Sequence, residues 1–239
     1  MGLTGIWSKL FSLSEWLMKI LYVNGLWLLF NLPLVYLLAN IVLAPTFESL
    51  SVLLISFVVL LPFIFFPATT AMFSVVRTFV MKTEQSIFRT FWKGFKGNYI
   101  RSLIGGVFFS ALWSLWIYNY YLAQIEWQSP LFYFYLVTTV FLISWNAHFF
   151  SDTVHFNVKF FTSIKKSILL AVGYLPYTIS MVGVSSFSIY TLNSFHPLFA
   201  FFLSGGVFAL VCFFAYYQII KRAIKIQEKI KKQQEQEAS

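Results

Sequence analysis

Of the 239 residues in this chain, 59% are apolar and 21% aromatic, and only 10% carry charge. Soluble globular domains hold about a quarter charged residues, so this composition excludes an ordinary water-soluble fold and points to a protein solvated by lipid. The net charge of +9, from 17 basic and 8 acidic residues, would suit nucleic acid or an anionic membrane surface. The apolar content selects the membrane, and no nucleic-acid partner is expected.

A helix crosses a hydrocarbon core of about 30 Å with about 20 mostly apolar residues, since lipid offers no partner to a free backbone group. Six segments reach that length, near 19–43, 50–76, 102–122, 131–150, 167–192 and 197–220. These unbroken apolar runs exclude a β-barrel, whose strands alternate between lipid-facing and lumen-facing residues. The first run is longer than a signal-peptide core and no small-residue cleavage site follows it, so it is expected to be retained. The expected fold is therefore all-α: a polytopic bundle of six transmembrane helices in one domain, 1–220, with a basic cytoplasmic tail, 221–239.

Orientation follows from the basic residues, which stay on the cytoplasmic side during insertion. Lys9 and Lys19 precede the first helix. Arg77, Lys82, Arg89, Lys93, Lys96 and Arg101 lie between helices 2 and 3, and Lys159, Lys165 and Lys166 between helices 4 and 5. Lys221, Arg222, Lys225, Lys229, Lys231 and Lys232 follow helix 6. The three remaining loops hold Glu48, Glu126 and His196 but no Lys or Arg. The chain is thus expected in a cell membrane, multi-pass, with both termini cytoplasmic and its basic loops against an anionic inner leaflet.

Helices 1, 2 and 5 each contain a Leu-Pro step, at Leu32-Pro33, Leu61-Pro62 and Leu175-Pro176. Proline removes a backbone donor and kinks a helix; these are expected as packing kinks, the alternative being broken helices that line a substrate site. After helix 2, Ile87, Phe88, Phe91, Trp92 and Phe95 recur at helical spacing while Arg89, Lys93 and Lys96 fall off that face. This pattern predicts a basic amphipathic helix in the membrane interface, with Phe88 and Trp92 in the acyl boundary and Arg89, Lys93 and Lys96 toward lipid phosphates. Gly105-Gly106 and Gly205-Gly206 allow close helix contacts. The two Leu-Pro steps at 61 and 175, each followed by Gly-Gly-Val-Phe at 105 and 205, also fit an inverted repeat of three helices.

His148, Asp152 and His155, spaced i, i+4, i+7, share one face at the cytoplasmic end of helix 4 and are expected as a solvated polar face rather than a metal site. The single Cys212 sits inside helix 6 and can form neither an intrachain disulfide nor a Cys-based zinc site. In the tail, Ile219, Ala223, Ile226 and Ile230 make a short stripe, predicting a helical, membrane-apposed segment; residues 233–239, polar and apolar-poor, are expected to be disordered. No Gly-rich phosphate loop, HExxH or GxSxG occurs, and no Asp or Glu falls near mid-membrane where a relay would need it. No catalytic residue, cofactor site or metal site is expected.

The segment Pro67-Ala68-Thr69-Thr70-Ala71, Val76-Arg77 and 87–99, with Phe91 and Phe95, resembles the signature of the YesL-type bacterial membrane proteins. Residues 24–33 are similar to that family's first helix, and 163–171 with Leu175-Pro176 to its later basic connector and fifth helix. Residues 146–157 fit the pattern poorly, so His148 and His155 inherit no role. The resemblance implies a protein of the bacterial cell membrane, in Gram-positive bacteria, whose gene often accompanies sugar-uptake and polysaccharide-utilisation systems, and it supplies no catalytic residues. Neither basic connector has the Glu-Ala-Ala loop of a sugar ABC permease. A non-enzymatic accessory or assembly partner of a carbohydrate uptake system, such as a sugar ABC transporter or another membrane complex, is therefore expected. A small-solute transporter built on the inverted repeat is the alternative.

Overall fold

The computed structural model describes residues 2–127 and 131–237. Among them every regular element is a helix: α1 (Gly2–Phe30), α2 (Leu32–Val42), α3 (Phe47–Leu60), α4 (Phe65–Val80), α5 (Ile87–Gly97), α6 (Tyr99–Trp127), α7 (Phe132–His155), α8 (Phe160–Gly173), α9 (Leu175–Phe195) and α10 (Pro197–Glu237). Three of them, α6, α7 and α10, are long and apolar enough to cross a membrane unaided. The pairs α1–α2, α3–α4 and α8–α9 reach that length only together, which gives three to six candidate spans. The fold is all-helical and compatible with a membrane protein.

Each pair bends at an anticipated Leu-Pro step, by 72° at Asn31, 45° across 61–64 and 89° at Tyr174. A proline pushes the residue before it out of the helical region and leaves a carbonyl one turn back without its donor. At the first bend the Asn31 backbone N–H and its side-chain amide both donate to the Trp27 carbonyl, at 3.1 and 2.7 Å, and close the end of α1. Across the last bend the Thr178 hydroxyl donates to the Ala171 carbonyl at 2.9 Å. The bends at Asn31 and Tyr174 exceed a kink and separate the flanking helices.

The centre of the molecule is α4, which packs on α1, α5, α6, α7 and α10. It buries a nearly continuous run from Phe66 to Val76 because Pro67, Ala68, Thr69, Thr70, Ala71 and Ser74 are small enough to let neighbouring backbones approach. Phe66 meets Phe109 and Phe150, and Phe73 meets Phe150, with ring centroids 5.4–6.4 Å apart. The helix ends in a Schellman turn: Thr83 donates to the Thr78 carbonyl at 2.9 Å, and Lys82 takes the left-handed conformation at φ 54 that glycine more often fills.

Gly206 lets α10 close on α1: its N–H donates to the Asn24 side-chain oxygen at 3.0 Å. A Cβ on Gly205 would stand 2.5 Å from that same oxygen. On α6, Cβ atoms at Gly105 and Gly106 would meet Phe149 and the Pro62 backbone. Both glycine pairs are close helix contacts, as their spacing predicts.

Two expectations are corrected. Residues 233–237 are helical, not disordered, because nothing after Gly206 breaks α10, and the Lys, Glu and Gln of its last turns are strong helix formers; Lys231 and Glu235 lie 3.9 Å apart one turn from each other. Ala238 and Ser239 lie outside the described residues. The loop expected between helices 4 and 5 shrinks to 156–159, since α8 starts at Phe160 and carries Lys165 and Lys166. The two halves are also packed unequally. α9, the counterpart of α4 in an inverted repeat, buries only Thr178, Met181 and Ser185.

Candidate functional site

The polar centre of the molecule is built on Asp152, in the last turn of α7 and fully buried. A carboxylate removed from water is tolerable only when its lone pairs are filled. Here most of them are: Lys166 Nζ on α8 lies 2.7 Å from Oδ1 and the Tyr216 hydroxyl on α10 donates to Oδ1 at 2.9 Å. The Ser163 hydroxyl donates to Oδ2 at 2.5 Å, and Arg101 Nη2 on α6 stands 3.6 Å from Oδ2. Arg101 Nη1 also donates to the carbonyls of Phe156 and Val158 at 3.3 and 2.9 Å, and Lys166 Nζ sits 3.7 Å from the Phe156 ring centre. These cations also face the negative end of α7.

The knot ties α6, α7, α8 and α10 together, and it overturns the solvated face expected for His148, Asp152 and His155. His148 is 1% exposed and His155 half-buried, its ring edged by Phe156, Phe213, Tyr216 and Tyr217. The reason is the partner set: α10 lays Tyr216 across the face that the spacing of α7 alone leaves open. Of about four acceptor positions on a carboxylate, the close donors Lys166, Tyr216 and Ser163 take three, and the Arg101 guanidinium adds a longer ion pair, so most of Asp152 is already committed within the chain. Among the described residues no three His, Cys, Asp or Glu side chains converge.

In front of the knot lies an open cavity of about 850 Å³ between the end of α4, α5, the start of α6 and the end of α7. Its lining includes Arg77, Lys93, Lys96, Arg101 and His155 and no Asp or Glu. Gly94 forms part of the wall where α5 meets α4, and a Cβ there would stand 2.5 Å from the Ser74 hydroxyl. A second cavity, about 300 Å³ and mostly apolar, opens where α1 and α3 break. Trp27, Asn31, Leu61, Ser110, Trp113 and Asn146 line it, and the side-chain oxygens of Asn31, Ser110 and Asn146 have no hydrogen-bond partner.

The motif residues divide between core and cavity. Pro67 and Ala68 are buried in α4, and Thr69 accepts from the Trp27 indole N–H at 3.0 Å. Arg77 lines the basic cavity. Phe91 is buried against Phe30 at 5.1 Å, and Phe95 packs on Phe30 at 4.9 Å. Of the residues expected at the interface, Phe88 and Trp92 are exposed with Arg89, Lys93 and Lys96, and Lys96 Nζ lies 4.6 Å from the Trp92 ring centre. Half of the α5 apolar face thus packs on the bundle and half faces outward. Sequence reasoning missed Ser163, Lys166 and Tyr216 as partners of Asp152. The signal was the lone carboxylate among apolar helices, which demands a buried cation.

Compared with known proteins, the chain matches a family model described as protein of unknown function DUF624 over residues 20–120. It is also similar to the uncharacterized protein YteU of Bacillus subtilis (strain 168), 27% identical over 190 residues that cover 76% of this chain and 72% of YteU. No solved structure matches. The family match takes in the motif, α5 and the basic cavity's Arg77, Lys93, Lys96 and Arg101, but ends before Asp152.

Proposed function

We propose that this chain is a six-span integral protein of the bacterial cell membrane, of the DUF624 and YesL type, with both termini cytoplasmic and no catalytic activity of its own. The observation that supports it is an inverted polarity. In the apolar stretches of α6, α7 and α10 only 28–33% of residues are buried within the chain, and large side chains such as Leu115, Ile117, Val137 and Phe201 face outward. A soluble monomer rarely exposes an apolar patch beyond a few hundred Å², whereas hydrocarbon covers one without penalty. The charged knot of Asp152 lies inside. Its close contacts to Lys166, Tyr216 and Ser163 support a holding role over an acid–base one.

In this reading Phe88 and Trp92 of α5 sit in the inner boundary of the bilayer, and Arg89, Lys93 and Lys96 meet the anionic leaflet. The finer role, an accessory or assembly partner of a carbohydrate uptake complex such as a sugar ABC transporter, rests on the family resemblance alone. The transporter alternative draws on the broken helices and the cavity at their breaks, and the unequal packing of α4 and α9 counts against an inverted repeat.

Reporter fusions test the topology. Fusions at Phe47 and Asn193, and at Gln128 outside the described residues, read as external; fusions after Lys96, after Lys165 and at the C-terminus read as cytoplasmic. An external C-terminus removes the six-span reading. Crosslinking and co-purification from native membranes test the role. Stoichiometric recovery of a sugar transporter supports the accessory function, and a chain that runs alone and binds a sugar or ion supports transport.

A further inference from the structure

Arg77 stands in the last turn of α4, half-buried, in the wall of the 850 Å³ cavity. Its Nε is out of contact with solvent and has no acceptor. No ion pair or hydrogen bond reaches this side chain from the described residues. A cation near a helix C-terminus gains from the carbonyl end of the dipole, which accounts for Arg77 and for Lys96 in α5 taken singly. It does not account for their convergence with Lys93 and Arg101 on one cavity that has no carboxylate in its wall. Asp152, the nearest buried anion, is already shared between Arg101 and Lys166. An unpaired, partly buried guanidinium is costly unless an anion completes it.

The neutral lining supplies the rest of a binding site. Thr78, Thr90, Asn98 and Asn157 offer hydroxyls and amides beside the cations, and the Thr153 hydroxyl and His155 Nδ1 are buried without partners. A planar guanidinium flanked by flexible ammonium groups is the donor set that suits a phosphate, which accepts a forked pair from arginine and point charges from lysine. A cavity of this size also exceeds one phosphate and leaves room for the polar moiety that carries it.

We propose that the cavity between α4, α5, α6 and α7 binds a phosphate ester borne on a hydroxylated group, with Arg77 as its central donor and Lys93 and Lys96 at its mouth. This goes beyond the membrane reading, which assigns no ligand. Two sources share the chemistry: the headgroup of an anionic phospholipid, and a soluble polyol phosphate.

The test uses the full-length chain in neutral detergent, titrated separately with dioleoylphosphatidylglycerol, dioleoylphosphatidylcholine and glycerol 3-phosphate, with binding read by native mass spectrometry and by thermal shift. Phosphatidylglycerol bound in preference to phosphatidylcholine assigns the lipid source, and glycerol 3-phosphate bound assigns the soluble one. In either case Arg77→Gln weakens binding by about tenfold or more, the loss of one charge-assisted contact to an anion. Lys93→Gln weakens it less, and Lys229→Gln, on the exposed tail, leaves it unchanged. Without ligand Arg77→Gln melts within a few degrees of the parent, since the guanidinium it removes has no hydrogen-bonded partner and gives up only its gain from the helix end. If that variant does not fold, Arg77 has a structural partner and the proposal fails. It fails equally if no phosphate compound binds, or if Arg77→Gln and Lys93→Gln bind as the parent does.

Discussion

Helices α4 and α9 both follow a break at a Leu-Pro step and both are rich in small hydroxyl residues, yet one is the centre of the molecule and the other its margin. In α4 Thr70, Ser74 and Thr78 donate back to their own helix, but two hydroxyl oxygens also accept from other helices. Thr69 accepts from Trp27 of α1, and Thr70 accepts from Ser102 of α6 at 2.7 Å. In α9, beyond Thr178 at the bend, they fold back and take nothing from a neighbour: Ser180 donates to the Pro176 carbonyl, Ser188 to Val184 and Thr191 to Phe187, each one turn earlier on the same helix. A hydroxyl that returns to its own backbone is satisfied without a neighbour, so its helix can sit at the edge. The Leu-Pro step thus specifies where a helix breaks and leaves open where its second half goes.

The largest expected effect probes how the marginal bent pair is held. Its first half, α8, is anchored through Ser163 and Lys166 to Asp152, while α9 leans mainly on α10 and α7. Asp152→Asn removes the only charge that balances Lys166 and Arg101 in the knot. Breaking one partner of a buried pair costs about 3–5 kcal/mol, so the variant unfolds well below the parent in a thermal melt. Cysteine labelling of α8 rises before labelling of α4. Equal labelling of the two helices would show that α8 does not depend on the knot.

Close approach at the centre is the next test. A Cβ on Gly106 would lie 2.7 Å from the Pro62 Cα and 3.0 Å from Phe66, and neither backbone nor a packed ring can yield cheaply. Gly106→Val is expected to destabilise by about 1–3 kcal/mol, as overpacking of a filled interior does, measured by the midpoint of denaturation in mixed micelles. A smaller effect is expected at the cross-helix hydroxyl pair. Thr70→Val leaves the buried Ser102 hydroxyl without its acceptor, at a cost of about 1–2 kcal/mol, whereas Ser188→Ala in α9 stays within the scatter of the measurement.

Much of the fold is legible in the sequence because lipid-length apolar runs and prolines act locally. Pro33, Pro62 and Pro176 mark the three breaks, and the 87–95 spacing marks α5. The site is legible only in part. Arg77, Lys93, Lys96 and Arg101 are visible as a basic connector, but their convergence on one cavity follows from α5 folding back onto α4 through the Gly94–Ser74 contact. The Asp152 knot draws on residues 101, 152, 163, 166 and 216, and no periodicity links positions 64 residues apart, such as Asp152 and Tyr216. Chemistry gives the missing hint. The one carboxylate within α7 had to find cations, and those within reach were the ones counted as loop charges.

The smallest expected effect bears on the margin itself and has the opposite sign. Gly183 lies within α9, and a Cβ built there meets nothing within 4 Å. A glycine inside a helix costs about 0.5–1 kcal/mol relative to alanine, through the freedom it gives the unfolded chain. Because the site is open, Gly183→Ala carries no steric penalty to offset that gain, and the variant is expected to melt slightly above the parent. The same substitution at Gly94 places the new methyl 2.5 Å from the Ser74 hydroxyl and 2.7 Å from its Cβ, so there the melt falls. Opposite signs from one chemical change separate a packed interface from an open face more directly than either magnitude. Should Gly183→Ala also lower the melt, α9 must be covered on that side by something other than this chain or lipid. A second protein lying on α9 would then account for the loss, and crosslinking from residue 183 would capture it.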